Sequence, residues 1–200
     1  IEPVGPPQMS KKTRLREPQI RSAALSYGAQ GGLAYASKQI NQMLEEQAPH
    51  LQKIYDFNQF MIHEGDATIL PPVIVESDDT YEQSEAGSTL RVADKYYEII
   101  QQARFAPVAP LWHAYLVRTY VKPRAPQDDN LPKNQMEREI WQKYVVEGWD
   151  KGVQQAKDIF KQDLRRLDRD RNGIIRFNQL LDQGLVSPPV IADQALGTTG

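Results

Sequence analysis

Apolar positions along the chain predict a helix over residues 21–48. Leu33, Ile40, Met43, Leu44 and Leu51 recur at spacings of three, four and seven. The first half of that helix holds Gly28, Gly31 and Gly32 among Ala23, Ala24, Ala29, Ala34 and Ala36. Each Gly weakens a helix by about 1 kcal/mol relative to Ala, so three of them imply a packing reason. Pro49 is expected to kink the helix into a second segment, residues 50–63, carrying Leu51, Ile54, Tyr55, Phe57, Met61 and Ile62. Leu70-Pro71-Pro72-Val73-Ile74-Val75 reads as a turn into a short strand.

Residues 76–87 contain Glu76, Asp78, Asp79, Glu82 and Glu85 with no base, and read as a solvated loop. Residues 90–105 read as helix, with Leu90, Ala93, Tyr97 and Ile100 on one face and Pro107 and Pro110 beyond its end. Residues 112–121 predict a short turn and then a strand, and residues 123–132 a loop rich in Pro and Asp. The longest helix is expected over residues 135–167. Trp141, Val145, Trp149, Val153, Ala156, Phe160, Leu164 and Leu167 form its continuous stripe. Gly173 is expected to stop the pattern. Residues 174–181 form another short apolar segment, and Ser187-Pro188-Pro189-Val190-Ile191 opens a polar tail.

These elements predict a predominantly helical α+β fold, a single compact domain over residues 20–192 with short strands near the two Pro-Pro-Val-Ile segments. Residues 1–19 read as a flexible Pro-rich leader or tether, and residues 193–200 as a C-terminal tail. Lys11, Lys12, Arg14 and Arg16 form a basic cluster in the leader. It reads either as a solvated tail or as a contact for an acidic partner or anionic lipid.

An internal repeat adds to this picture. Phe57-Asn58-Gln59 recurs as Phe177-Asn178-Gln179, an offset of 177 − 57 = 120. The same offset carries Gly28 to Gly148, Gly32 to Gly152, Ala36 to Ala156, Gln42 to Gln162, Leu44 to Leu164 and Ile54 to Ile174. Pro71-Pro72-Val73-Ile74 returns as Pro188-Pro189-Val190-Ile191. Two related halves are expected, about residues 23–75 and 143–192, with their Gly-bearing faces packed together.

Composition narrows the chemistry. The 200 residues carry 24 Lys plus Arg and 26 Asp plus Glu, a formal net charge of −2. That balance argues against binding nucleic acid through bulk positive charge, and no direct nucleic-acid contact is expected. Cysteine is absent, which removes disulfides, thiolate metal sites and cysteine nucleophiles. No apolar run approaches the roughly 20 residues of a membrane-spanning helix. The chain starts at Ile1 rather than Met. It is therefore expected to be a mature or trimmed piece, with any signal peptide or lipid-anchor cysteine upstream.

The best metal candidate starts at Asp168. Counted as a calcium loop, Asp168, Asp170 and Asn172 occupy positions one, three and five, and Gly173 position six. The second half fails, because Gln179 stands where a bidentate Glu is needed and Arg169, Arg171 and Arg176 oppose a cation. The alternative is a helix end turned by Asn172-Gly173. Gly28-Ala29-Gln30-Gly31-Gly32 lacks a preceding strand and a Gly-Lys-Ser/Thr ending, so it is not read as a phosphate loop. His50, His63 and His113 show no metal-ligand spacing, and no Gly-x-Ser-x-Gly elbow occurs. No catalytic residue, metal or cofactor is assigned. Trp112, Trp141 and Trp149 are candidate interface anchors, with core burial as the alternative.

One resemblance emerges from ordered landmarks. They are Gly28-Ala29-Gln30-Gly31-Gly32-Leu33, Ile40-Asn41-Gln42-Met43-Leu44-Glu45, Ile54-Tyr55-Asp56-Phe57-Asn58 and Leu70-Pro71-Pro72-Val73. Gln102-Ala103-Arg104-Phe105, Glu137-Arg138-Glu139-Ile140-Trp141, Glu147-Gly148-Trp149 and Leu196-Gly197-Thr198-Thr199-Gly200 follow in order. From about residue 20 onward the chain resembles the DotC family, lipoproteins of Dot/Icm type IVB secretion systems, together with conjugative-plasmid counterparts. The resemblance implies a periplasmic, non-enzymatic subunit of a multimeric, ring-like core complex. An N-terminal lipid, attached outside this chain, would hold it at the outer membrane. It also implies a DotD-like lipoprotein and a DotH-like subunit as partners, and export of effectors or of DNA–protein complexes. A calcium-responsive module at residues 168–179 and a cell-wall hydrolase are the competing readings.

Overall fold

Ser10 opens the first helix by accepting the Thr13 N–H on its hydroxyl at 3.1 Å, a conventional N-cap. Helix α1 then runs Lys11–Glu46. The computed structural model describes residues 10–77, 88–92 and 94–191. Residues 11–19, expected as part of a loose leader, are therefore helical, with Pro18 inside the helix. Ile20, Ala24, Gly28, Gly32 and Ala36 are buried at every fourth position, so beyond Ile20 the helix buries a narrow stripe of small residues.

Short elements follow. They are helix α2 (Ala48–Ile54), a single 3-10 turn (Phe57–Phe60), and strands β1 (Ile62–Glu64), β2 (Ala67–Leu70) and β3 (Val73–Ser77). Next come β4 (Thr89–Val92), β5 (Lys95–Gln101), β6 (Arg104–Phe105) and helix α3 (Trp112–Leu116). Helix α4 spans Gln135–Asp182. The fold is α+β and predominantly helical, as its sequence predicts. The chain divides into two compact units, each assembled from two stretches of sequence. One holds residues 1–46 and 117–162, and the other residues 47–116 and 163–200.

In the first unit α1 packs against the opening turns of α4 with almost no side chain between them. A Cβ on Gly28 would lie 2.9 Å from the Trp149 backbone nitrogen, and one on Gly148 3.0 Å from the Ala29 nitrogen. Gly32 faces the Trp149 carbonyl, and Gly152 faces the Ala29 carbonyl. The Gly-bearing stripes of the 120-residue recurrence thus lie against each other, and glycine is what lets the two backbones touch. Residues 117–126 pass along α1 in irregular extended form; the strand expected up to residue 121 is absent. Two amides of α1 hold this segment. Asn41 donates to the Arg118 carbonyl at 2.8 Å, and Gln30 accepts from the Arg124 N–H at 3.1 Å.

The second unit carries both sheets, ordered β1-β2-β6 and β3-β5-β4, all antiparallel. Leu70 pairs with Arg104 and Val73 with Gln101, and the β3–β5 register then shifts between Val73 and Ile74, where Ile74 pairs with Ile99. Pro71 and Pro72 interrupt the ladder because they offer no N–H. Ile74, Val92, Tyr97, Phe177 and Leu180 form a buried cluster between the second sheet and α4.

Residues 90–92, 95–101 and 104–105 are strands, not the expected helix. The run Thr89, Val92, Tyr96, Tyr97, Ile99 and Ile100 is β-branched and aromatic, and pairing with β3 outweighs a helical spacing that also fits. Gly173 does not stop α4. A Cβ there would meet Val73 Cγ1 at 2.6 Å and the Ile74 carbonyl oxygen at 2.7 Å, so this glycine is a notch for strand β3. The two Pro-Pro-Val-Ile segments differ: the first enters β3, whereas residues 188–191 have no regular structure. The acidic stretch beyond Ser77, the first nine residues and the tail from residue 192 lie outside the described residues.

Candidate functional site

The segment expected as a calcium loop is continuous helix. Asp168, Asp170 and Asn172 sit inside α4, so their side chains splay around a helix instead of converging on one ion. Each carboxylate has protein partners. Asp168 accepts the Tyr55 hydroxyl at 2.6 Å. Asp170, fully buried, accepts Tyr115 at 2.9 Å and both Nε and Nη2 of Arg169 at 2.9 and 2.7 Å. Asn172 accepts from Arg171 at 3.3 Å. Among the described residues no group of three or more His, Asp or Glu is placed to hold a metal ion. This region ties α4 to the preceding elements: Tyr55 follows α2, Tyr115 belongs to α3, and Arg171 reaches the Ile54 carbonyl at 2.9 Å.

The two tyrosines are held neutral. Burial, then the hydrogen bond to Asp168, pushes Tyr55 up to about 12 from its ordinary value of 10.0. Burial first, and the Asp170 charge second, raise Tyr115 further. A raised tyrosine pKa means that the unfolded chain releases the proton first. Stability from these groups is complete below pH 10 and falls as pH climbs towards 12. Urea midpoints at pH 9, 10 and 11 are expected to drop, and a Tyr55→Phe, Tyr115→Phe double variant to show a flatter slope. An identical slope in that variant would refute the assignment.

The three tryptophans separate. Trp112 is buried in the second unit beside exposed His113, ring centroids 5.7 Å apart. Trp141 and Trp149 lie in the first unit, where each pairs with a tyrosine of α1. Tyr27 meets Trp141 at 6.2 Å and Tyr35 meets Trp149 at 5.3 Å. Trp149 keeps 38% exposure, so of the three it presents most ring to solvent.

The most connected polar feature in the first unit escaped the sequence reading. Arg16, expected in a loose basic cluster, donates through Nη1 to both oxygens of Glu137, at 3.1 and 2.9 Å. Its Nη2 donates to the carbonyls of Asp129 and Leu131, at 2.9 and 3.0 Å. The Lys133 N–H adds a third donor to Glu137 at 2.7 Å. Asn134 caps α4 by accepting the Glu137 N–H at 2.9 Å and donates to Thr13 at 3.2 Å. An Asn with Glu three residues later is a helix-start signature, which was the available signal.

Among the described residues no helix is long and apolar enough to cross a membrane. Clamp, glycine crossing and tyrosine–aspartate ties fix helices and strands in register, and Tyr35 and Trp149 stay partly exposed. No curated protein matches the chain. A family model described as type IV secretory system, conjugal DNA-protein transfer, matches residues 14–200. That match takes in both units and every landmark from Gly28 onward, and the chain belongs to this type IV secretory family, T4SS_TraI.

Proposed function

We propose that the chain is a non-enzymatic structural subunit of a type IVB secretion core complex. It stands on the periplasmic side of the outer membrane and helps place partner subunits there. The observation that carries this reading is the family match over residues 14–200. The DotC-like landmarks add to it, because many of them are framework residues. Gly28, Gly32 and Gly148 form the helix crossing. Glu137 anchors the clamp, and Tyr55, Phe57 and Val73 are buried. Residues used for packing suit a protein that works by shape. A DotD-like lipoprotein and a DotH-like subunit are the expected partners, in a multimeric ring-like assembly. A lipid attached ahead of this chain is the expected anchor.

The test uses the native, tagged protein. Envelopes extracted in mild detergent are expected to yield it in a large particle with a second lipoprotein and a DotH-like protein, identified by mass spectrometry. Recovery as a small free species after crosslinking would overturn the reading.

A further inference from the structure

One face of the first unit carries chemistry that packing does not explain. The extended segment 117–126 contains Arg118, Lys122 and Arg124 and no acid. Asn41 and Gln30 hold its backbone at residues 118 and 124, eleven α1 positions apart. The midpoint of that register is residue 121 on the segment and the turn of Tyr35 on α1. Pro123 packs near Gly31, whose own neighbour is the Trp149 ring. Pro123 thus lies on the side of α1 where Tyr35 meets Trp149, with Tyr120 and Val121 just before it in the chain. Val121 is 75% exposed, Tyr35 53% and Tyr120 41%, beside the half-open Trp149. Lys122, Arg124 and, on the same side of α1 as Gln30 and Asn41, Lys38 surround it, all exposed.

We infer that this face is a peripheral binding surface for an anionic phospholipid bilayer. Tryptophan and tyrosine rings favour the boundary between headgroups and acyl chains, where a ring is half apolar and half wet. Val121 supplies an apolar tip at the same level. Lysine and arginine extend towards phosphates while their methylene stems stay on the apolar side. The charge of the rim selects an anionic surface. An acidic protein face would answer the cations but would leave a nearly naked valine between them. The segment is already fixed by Asn41 and Gln30, so docking orders little new chain and costs little entropy. The inference stands on this face alone and not on the assembly proposed above: a chain that bound vesicles yet joined no envelope particle would keep the one and lose the other.

Flotation with vesicles tests it. The purified chain is mixed with phosphatidylglycerol–phosphatidylethanolamine vesicles, with phosphatidylcholine vesicles, and with a single-stranded oligonucleotide. Binding is expected on the anionic vesicles only, and is expected to fall steeply between 0.05 and 0.5 M salt, roughly the range over which the screening length shrinks severalfold. Lys122→Gln with Arg124→Gln is expected to weaken it by about tenfold or more, since each cation near such a surface contributes about a fivefold factor. Val121→Ser is expected to weaken it severalfold at unchanged charge. All three positions are exposed, so circular dichroism should show the variants folded. Equal binding to neutral vesicles, no binding to anionic ones, binding of the oligonucleotide instead, or indifference to Val121→Ser would each overturn the proposal.

Discussion

Replacing Glu137 by Ala is expected to destabilise the protein by about 3–5 kcal/mol, the range for removing one partner of a buried ion pair. The carboxylate is only 1% exposed and Arg16 only 16%, so water cannot take over the lost bonds. The variant strands a guanidinium between the Asp129 and Leu131 carbonyls and leaves the Lys133 N–H without its acceptor. Arg16→Ala inverts the problem by burying a lone carboxylate. The double variant is expected to cost far less than the two single costs combined, because each single loss includes the penalty on the survivor. Urea unfolding of the three variants measures this directly. Proteolysis should also start earlier in the first turns of α1, which the clamp secures. Single losses below about 1 kcal/mol would place the pair among ordinary surface salt bridges and sink the argument.

The second large effect is expected at the helix crossing. Gly32→Ala puts a methyl group against the Trp149 carbonyl, and Gly152→Ala against the Ala29 carbonyl. Backbone cannot step aside as a side-chain tip can, so the helices must part and the stripe between them loosens. Overpacking of this kind costs roughly 1–3 kcal/mol or more, against about 1 kcal/mol gained from alanine's helix propensity. A net loss of about 2 kcal/mol is expected for each. Gly31→Ala is the internal control. Its Cβ would meet side chains alone, the edge of the Trp149 ring at 3.2 Å and Pro123 at 3.8 Å, and the helix-propensity gain should roughly balance the cost. Thermal unfolding of the three variants orders them. A Gly32→Ala protein as stable as Gly31→Ala would mean that the close approach is wrong.

Much of the frame is legible from residue spacing. The every-fourth small residues of α1, the long apolar stripe of α4 and the strand after Pro71-Pro72 all follow from local rules. What misleads is any position whose local preference and tertiary partner disagree. Residues 90–105 satisfy a helical spacing, yet Tyr97 and Ile99 are claimed by a sheet whose other strand lies some twenty residues away. Asn172-Gly173 looks like a helix end because glycine is a poor helix former. The gain that keeps it in mid-helix is contact with Val73 and Ile74, about a hundred residues distant. Arg16 looks like a free charge for the same reason: its partner, Glu137, is remote in sequence. The calcium count at Asp168 matched residue types while missing that Tyr55 and Tyr115 already occupy the carboxylates.

The glycine crossing has a consequence for pairing specificity. Gly28 meets residue 145 and Gly148 meets residue 25; Gly32 meets residue 149 and Gly152 meets residue 29. Under the 120-residue offset these contacts exchange, which is the signature of an isologous interface written into one chain. By backbone alone, α1 would then pair as well with the α1 of another molecule. The flanks favour the mixed pair. Tyr27 lies against Trp141, while the equivalent positions 147 and 21 hold a carboxylate and a guanidinium that attract each other. Pairing α1 with itself would set Tyr27 against Arg21, and pairing α4 with itself would set Glu147 against Trp141. Only the mixed pair keeps both the Tyr27–Trp141 contact and the Glu147–Arg21 attraction. Near-identical backbones are thereby directed to each other, and the side chains that break the symmetry bias each helix towards its partner within the chain.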